Sequence, residues 1–229
     1  MRRIFITDFD GTLCRQDFYQ LVIQQILPAT VPDYWQEYLD HQITHFEVLQ
    51  KYFAEIRCSE AELETLLTKM ELEPELPRWV QELRGAGWEI AVASAGCAWY
   101  IEKLLKHIEP PLVIHTNPGK FVEGQGLLMS RPYGLQFFSP ITGIDKTAIV
   151  KAALAVEGPK MVAYAGDGTT DIIPSLLVPE NLRFARGDLA RHLDGKGQRY
   201  QAFDRWGEVA KRLLAYSNST SMSNMVKYE

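Results

Sequence analysis

Two aspartates one residue apart, Asp8 and Asp10, close the apolar run "FIT" and lead into Gly11-Thr12. Taken alone, Asp-Gly after a strand is most often a turn. Two further apolar runs end in the same way. "IAVASAG" ends in Ser94, Ala95 and Gly96, and "VAYAGDGTTD" ends in Gly166, Asp167, Gly168 and Asp171. Lys146 lies near the start of the helical pattern "DKTAIVKAALAVEG" that precedes the last of these runs. In an open parallel sheet the carboxyl ends of the strands border one crevice. Residues far apart in sequence can therefore meet there. Carboxylates gathered at a few ångströms raise one another's pKa or demand a cation. Mg²⁺, a hard ion that takes one or two carboxylates together with a substrate phosphate, suits such a set. Gly11, Gly96, Gly166 and Gly168 let backbone N–H groups approach an anion, and Lys146 adds a fixed positive charge. Lys151 and Lys160 are rivals, and Lys146 is preferred because it opens a helix just before the last strand.

The elements that must position these residues alternate along the chain. Residues 2–7 read as a short buried strand, and residues 17–73 as consecutive helices. Thr44 with Glu47, and Ser59 with Glu62, have the spacing of capping boxes. From residue 74 the segments "ELPRWVQELRGAG", "AWYIEKLLKHI", "DKTAIVKAALAVEG" and "DRWGEVAKRLLAY" read as helices. "WEIAVASAG", "PLVIHT", "KMVAYAGDG" and "LRFAR" read as strands, and "KFVEGQGLLM" as a hairpin. Alternating strands and helices favour an α/β class with a parallel, Rossmann-like sheet. A helical block is inserted after the first strand. The expected division is a core of residues 1–14 and 74–216, a helical cap of residues 15–73, and a flexible tail of residues 217–229.

The chain has 229 residues, a formal net charge of −5 and 46% hydrophobic composition. That allows one sizeable core with a small accessory block. A mildly acidic chain is a poor binder of nucleic acid or of anionic membranes. Cys14, Cys58 and Cys97 have neither zinc nor disulfide spacing. With no signal-peptide or membrane-spanning pattern, a reducing cytosol is expected.

The full order of motifs resembles the haloacid dehalogenase (HAD) superfamily. Its first motif is Asp8-Phe9-Asp10-Gly11-Thr12, its second Ser94, its third Lys146, and its fourth Gly166-Asp167-Gly168-Thr169-Thr170-Asp171. The insertion resembles the C1-type cap of phosphoserine phosphatase-like members. "DFDGTLCRQD" and "FARGDL" are most similar to the methionine-salvage branch, which acts on 2-hydroxy-3-keto-5-methylthiopentenyl-1-phosphate. The resemblance implies a phosphatase of small phosphorylated metabolites. Asp8 is implied as nucleophile, forming an aspartyl-phosphate, and Asp10 as acid and base. Mg²⁺ is implied on the Asp8 and Asp167 side chains and the Asp10 carbonyl. Ser94 and Lys146, with backbone groups around Ala95 and Gly11, are implied on the phosphoryl oxygens. Thr12 would support the loop, and Asp171 would either join the metal site or orient the lysine. Two departures from the phosphoserine phosphatase pattern stand out, Ala95 where a glycine is usual and Thr170 where asparagine is common. Neither removes a charge the chemistry needs, and both weaken an assignment to phosphoserine, with phosphoserine phosphatase kept as the alternative function.

Two other classes compete. A metal-free 2-haloacid dehalogenase has no leaving alcohol to protonate, so Asp10 argues against it. A non-catalytic phosphate-binding module would be free to lose one of Asp8, Asp10, Lys146, Asp167 or Asp171, and none is missing. Finally, residues 17–73 carry 11 Asp and Glu against Lys51, Arg57 and Lys69. A substrate with a second anionic group would need basic partners there. The non-phosphate part is therefore expected to be neutral or to carry an amine.

Overall fold

The structure, a computed structural model, describes residues 1–225. Its centre is β1 (Arg2–Thr7), buried from Ile4 onward. On one side β1 pairs in parallel with β2 (Trp88–Cys97), which pairs with β3 (Val113–Asn117). On the other side come β8 (Lys160–Gly166), β9 (Arg183–Ala185) and β10 (Gln201–Ala202), again parallel. The sheet order is β10-β9-β8-β1-β2-β3. The chain winds outward from β1 in both directions, so β1 and β8 flank the switch point where such sheets take ligands.

Alternation along β1 explains why both faces are covered. Phe5 enters the large core, packed with Trp79, Val80 and Leu83 of α5 (Leu76–Gly85) and with Trp206 and Val209 of α10 (Trp206–Met225). Ile4 and Ile6 enter the opposite layer with Ile149 and Val150 of α7 (Lys146–Ala155). The middle of β1, Ile4 to Ile6, is buried on both faces and is therefore a continuous apolar run. α6 (Ala98–Leu105) follows β2 directly. A single 3₁₀ turn (Thr169–Asp171), α8 (Ile172–Leu176) and α9 (Gly187–Gly195) follow β8 and β9.

Between β1 and α5 run α1 (Phe18–Gln25), α2 (Tyr34–Leu39), α3 (His45–Ala54) and α4 (Glu60–Lys69). Both capping boxes form, with Thr44 and Ser59 accepting from the backbone N–H groups of Glu47 and Glu62. Phe18, Phe46 and Phe53 join the large core, which seats α1 and α3 against the sheet end. The hairpin of β4 (Gly119–Val122) and β5 (Gly126–Met129) packs on α3, where Gln50 donates to the Met129 carbonyl at 2.9 Å. A two-strand pair, β6 (Phe138–Ser139) and β7 (Gly143–Ile144), leads into α7. Helix α10 continues to Met225, over much of the segment set apart from sequence as a tail. Ser217 at its root is buried and accepts from Trp88 Nε1 at 2.9 Å. Residues 226–229 lie outside the described residues. Among the described residues no helix is long and apolar enough to cross a membrane.

Candidate active site

Asp8 is the first residue past β1. Its N–H donates to the Ala165 carbonyl of β8 at 2.9 Å, which carries the ladder one step beyond the strand. Asp8 Oδ1 accepts from the Phe9 N–H at 2.7 Å and faces Lys146 Nζ at 2.8 Å. Its Oδ2 has no hydrogen-bond donor among the described residues. One oxygen is thus fixed and the other left free.

Lys146 opens α7, whose N-terminus is capped by Asp145, accepting from the Ala148 N–H at 2.9 Å. The lysine is buried and lies between two carboxylates, Asp8 and Asp171, the latter at 2.7 Å. The rival lysines lie elsewhere. Lys151 is exposed, and Lys160 donates to the Leu154 carbonyl at the far end of β8.

Asp171 is fully occupied. Its Oδ1 accepts from Lys146 and from Tyr164 O–H at 2.5 Å, and its Oδ2 accepts from the Asp167 and Gly168 N–H groups at 3.1 and 2.9 Å. A carboxylate offers about four acceptor positions, so none remains for a metal. Of the two roles implied by sequence, the bonding favours orienting Lys146 and the Asp167 loop. Asp167 Oδ1 accepts from Thr12 Oγ1 at 2.8 Å, and its Oδ2 has no donor among the described residues. Gly11 has a left-handed φ of 68°, and a Cβ there would overlap the Asp167 carboxylate. Glycine is therefore required by both the angle and the space.

Oxygens of Asp8, Asp167 and Asp171 lie within 4.8 Å of one another. Three carboxylates share one lysine, and the imbalance shows in their protonation. Burial, and then the Asp171 charge, push Asp8 well above the usual carboxylate range, although Lys146 opposes this. Burial, with Asp171 and Asp17, pushes Asp167 up to about 8. Burial also disfavours charge on Asp171, but Lys146, Tyr164 and the backbone outweigh it and hold that carboxyl low. A divalent cation fits this set. It would balance the excess charge through the free oxygens of Asp8 and Asp167. The Asp10 carbonyl, which no backbone N–H takes among the described residues, is available as a further oxygen ligand.

Ser94 lies near the end of β2, three residues before Cys97, buried, and its Oγ accepts from the Gly96 N–H at 2.9 Å. Ala95 follows in β2 with an ordinary backbone angle. Among the described residues only His41 and Glu71 are non-glycines with positive φ. Asp8, Asp10, Ser94, Ala95, Lys146 and Asp167 border one cavity of about 430 Å³, with Gly11, Thr12 and Asp171 behind its wall. Gly11 and Thr12, expected near the phosphoryl oxygens, instead pack against and bond the Asp167 carboxylate.

Other participants were not singled out. Tyr100 and the Phe18 N–H both hold Asp10, and Tyr164 holds Asp171. The far side of the cavity is formed by Tyr19, Trp35, Tyr38, His45 and Phe53 of the helical block, with Asp17 at its edge. Burial, and then the Lys146 charge, lower the His45 pKa to about 4, so this imidazole is neutral at pH 7. Among the residues bordering the cavity, Lys146 is the only lysine or arginine.

The central ion network carries a stability prediction. Lys146→Met leaves Asp8 and Asp171 buried without their shared cation. Breaking such a pair costs about 3–5 kcal/mol. Urea denaturation should show a loss of that size. A loss below about 1 kcal/mol would mean that solvent, and not Lys146, compensates these carboxylates.

Comparison with known proteins agrees with this arrangement. The model of the family described as "Putative Phosphatase" matches residues 3–194. "Inorganic pyrophosphatase 1" of Arabidopsis thaliana is 27% identical over 192 residues, covering 74% of this chain and 61% of that protein. The chain thus spans about 61% of the length of the curated relative it matches. A probable phosphoserine phosphatase from Vibrio cholerae superposes with a TM-score of 0.65 at 17% identity, over 97% of this chain and 67% of that one. A phosphoserine phosphohydrolase-like protein from Francisella tularensis does so with a TM-score of 0.62 at 21% identity, over 92% and 99% of the two chains. These structures share the fold, and the family match covers most of the chain, including all four motifs. The chain belongs to the Putative Phosphatase family and is built on the haloacid dehalogenase fold.

Proposed function

We propose that the protein is a Mg²⁺-dependent phosphomonoester hydrolase that works through an aspartyl-phosphate and acts on a small ester whose leaving group is neutral or carries an amine. The observation that carries the chemistry is the division of labour at Asp8. One oxygen is fixed by Lys146 and the Phe9 N–H, and the other is free to attack. Asp8 Oδ2 attacks phosphorus, the bond from phosphorus to the leaving oxygen breaks, and Asp10 gives that oxygen its proton. Water then attacks the acyl-phosphate, Asp10 takes the water's proton, and phosphate leaves with Asp8 restored. Lys146 and Ser94 face the phosphoryl oxygens. Asp8, Asp167 and the Asp10 carbonyl would hold the divalent ion, which when bound would neutralise charge on the phosphoryl group and polarise it. The helical block acts as the cap that keeps bulk water from the acyl-phosphate.

The leaving-group preference rests on what surrounds the cavity. Besides Lys146 it has no lysine or arginine, while Asp17 and Asp188 border it together with four aromatic rings of the helical block and neutral His45. The three basic residues of that block are engaged elsewhere. Lys51 pairs with Glu37, Arg57 donates to the Ala54 and Ile56 carbonyls, and Lys69 bonds Gln25. A phosphoserine carboxylate, or the second phosphate of pyrophosphate, would therefore enter without a protein cation. An uncharged keto-alcohol, such as the methionine-salvage ester, meets no such obstacle. An ammonium group would gain from the rings and Asp17.

The test is kcat/KM with Mg²⁺ for a neutral 1-phosphorylated ketose or enol, phosphocholine, phosphoserine and pyrophosphate. The neutral and amine-bearing esters should lead by at least about tenfold, the worth of one unmet charge at a partly wet site. Preference for phosphoserine or pyrophosphate would overturn the leaving-group reading, and no turnover on any of the four would count against hydrolase activity.

A further inference from the structure

Asp10 is held by two donors that lie outside the four motifs. Its Oδ1 accepts from the Phe18 N–H at 3.0 Å, and its Oδ2 accepts from Tyr100 O–H at 2.6 Å. Phe18 is the first residue of α1, and Tyr100 lies on α6. The two are themselves stacked, with ring centroids 4.4 Å apart at 25°. Phe9 and Phe53 close around Tyr100 at 6.1 and 6.5 Å. Its ring is 2% exposed, yet the residue borders the cavity.

Gly96 gives an independent sign that the contact is built in. A Cβ at Gly96 would collide with the Tyr100 hydroxyl and come within 3.0 Å of Asp10 Oδ2. Gly96 has no positive φ to account for it. Space explains the glycine instead: the second-motif backbone passes just where the tyrosine reaches the acid.

We propose that Tyr100 is a positioning residue for the Asp10 carboxyl, fixing Oδ2 as the oxygen that hands its proton to the leaving group. The inference rests on the reading of Asp10 as acid and base. The geometry selects the oxygen. The backbone N–H of Phe18 can only donate, which favours Oδ1 as the carbonyl-type oxygen. The Tyr100 hydroxyl can donate or accept, so Oδ2 keeps its partner whether it is protonated or ionised and is the oxygen suited to carry the proton. The hydroxyl of Tyr100 donates to a lone pair of that same oxygen and stops the carboxyl from rotating about its Cβ–Cγ bond. As the bond from phosphorus breaks, the proton moves from Oδ2 to the leaving oxygen, and Oδ2 becomes the carboxylate oxygen that keeps the Tyr100 hydrogen bond. In the second half-reaction the same oxygen takes a proton from water. Since Phe18 both bonds Oδ1 and stacks on Tyr100, the first residue of α1 and the acid are set as one unit.

Tyr100→Phe keeps the ring and removes only the hydroxyl. With an alkyl phosphate, kcat should fall about 10–100-fold, the size of a misplaced reacting group. Substrate affinity should stay within about twofold. With nitrophenyl phosphate, whose leaving group needs no proton, the single-turnover rate of nitrophenol release, which precedes attack of water on the acyl-phosphate, should stay within about threefold, and the losses on the two esters are compared at this step. The double variant Tyr100→Phe with Asp10→Asn should be no slower on the alkyl ester than Asp10→Asn alone. Equal losses on both esters, a purely KM effect, no loss on either, or additive losses in the double variant would each overturn the proposal. Should Tyr100→Phe fold poorly, 3-fluorotyrosine at position 100 preserves the shape. An unchanged ratio of alkyl to nitrophenyl rates would then also overturn it. Asp10→Asn by itself separates the two readings: equal loss on both esters in that variant rejects the acid role of Asp10, whereas a selective loss there with none in Tyr100→Phe rejects only the role of Tyr100.

Discussion

Asp8→Asn should abolish turnover while the protein stays folded. The amide is nearly the size of the carboxylate, and its carbonyl oxygen can still accept from Lys146 and the Phe9 N–H, which now bond Oδ1 at 2.8 and 2.7 Å. What disappears is the free oxygen. An amide nitrogen cannot form the acyl-phosphate, so no covalent intermediate remains to split the displacement into two easier steps. The rate should fall by at least about 10⁴-fold, toward background, because a nucleophile and its partners act as a unit. The stability effect is small for a reason visible in the site. Losing the Lys146 pairing is offset by removing the Asp8 charge that crowds Asp167 and Asp171. A quench with labelled phosphate ester should leave acid-stable, base-labile label on the peptide containing Asp8 in the wild type and none in the variant. Turnover within about 100-fold of wild type, or label on a different peptide, would place the nucleophile elsewhere.

The motif residues were legible because each follows an apolar run that had to be a strand, and strands of a parallel sheet end together. Asp8, Ser94 and Asp167 needed no contact information. Lys146 needed only the capped start of a helix. Tyr100 gave no such signal. In "AWYIEKLL" it sits on the apolar stripe of α6, as a core aromatic would, and its hydroxyl finds Asp10 across 90 positions of sequence. Tyr164 hides in the same way inside the buried strand "MVAYAG". The rings across the cavity, Tyr19, Trp35, Tyr38 and His45, come from three short helices and their ends. Helical periodicity tells which residues are apolar, not which apolar face meets the sheet end and which meets substrate. The scarcity of positive charge was legible as composition, and the structure adds that Lys51, Arg57 and Lys69 all bond away from the cavity. Helix α9 was missed because it is short, begins and ends in glycine, and buries only Leu189 and Leu193.

Exhaustive chelation should remove activity, and Mg²⁺ should return it. The argument starts from charge. Asp8, Asp167 and Asp171 place oxygens within 4.8 Å of one another. Lys146 is the one cation bonded to them among the described residues, and Asp171 has committed all its acceptor positions. The excess therefore falls on Asp8 and Asp167, whose remaining oxygens have no donor. A phosphoryl group brought there adds further negative charge. Without a divalent ion, Asp8 must approach that group against repulsion in a buried site, where charges interact several-fold more strongly than in water. Ca²⁺ should restore activity poorly. It accepts a larger, looser shell at 2.3–2.6 Å, whereas Mg²⁺ holds near-octahedral ligands at about 2.0–2.1 Å, and a few tenths of an ångström at Asp8 displaces the attacking oxygen. A second readout does not depend on catalysis. Because the ion relieves carboxylate repulsion in the folded state alone, Mg²⁺ should raise the unfolding temperature in a concentration-dependent manner. Asp167→Asn, which removes both a ligand and part of the repulsion, should lose most of that response. Full activity after chelation, or a thermal response to Mg²⁺ that is unchanged in Asp167→Asn, would show that these carboxylates do not hold the metal.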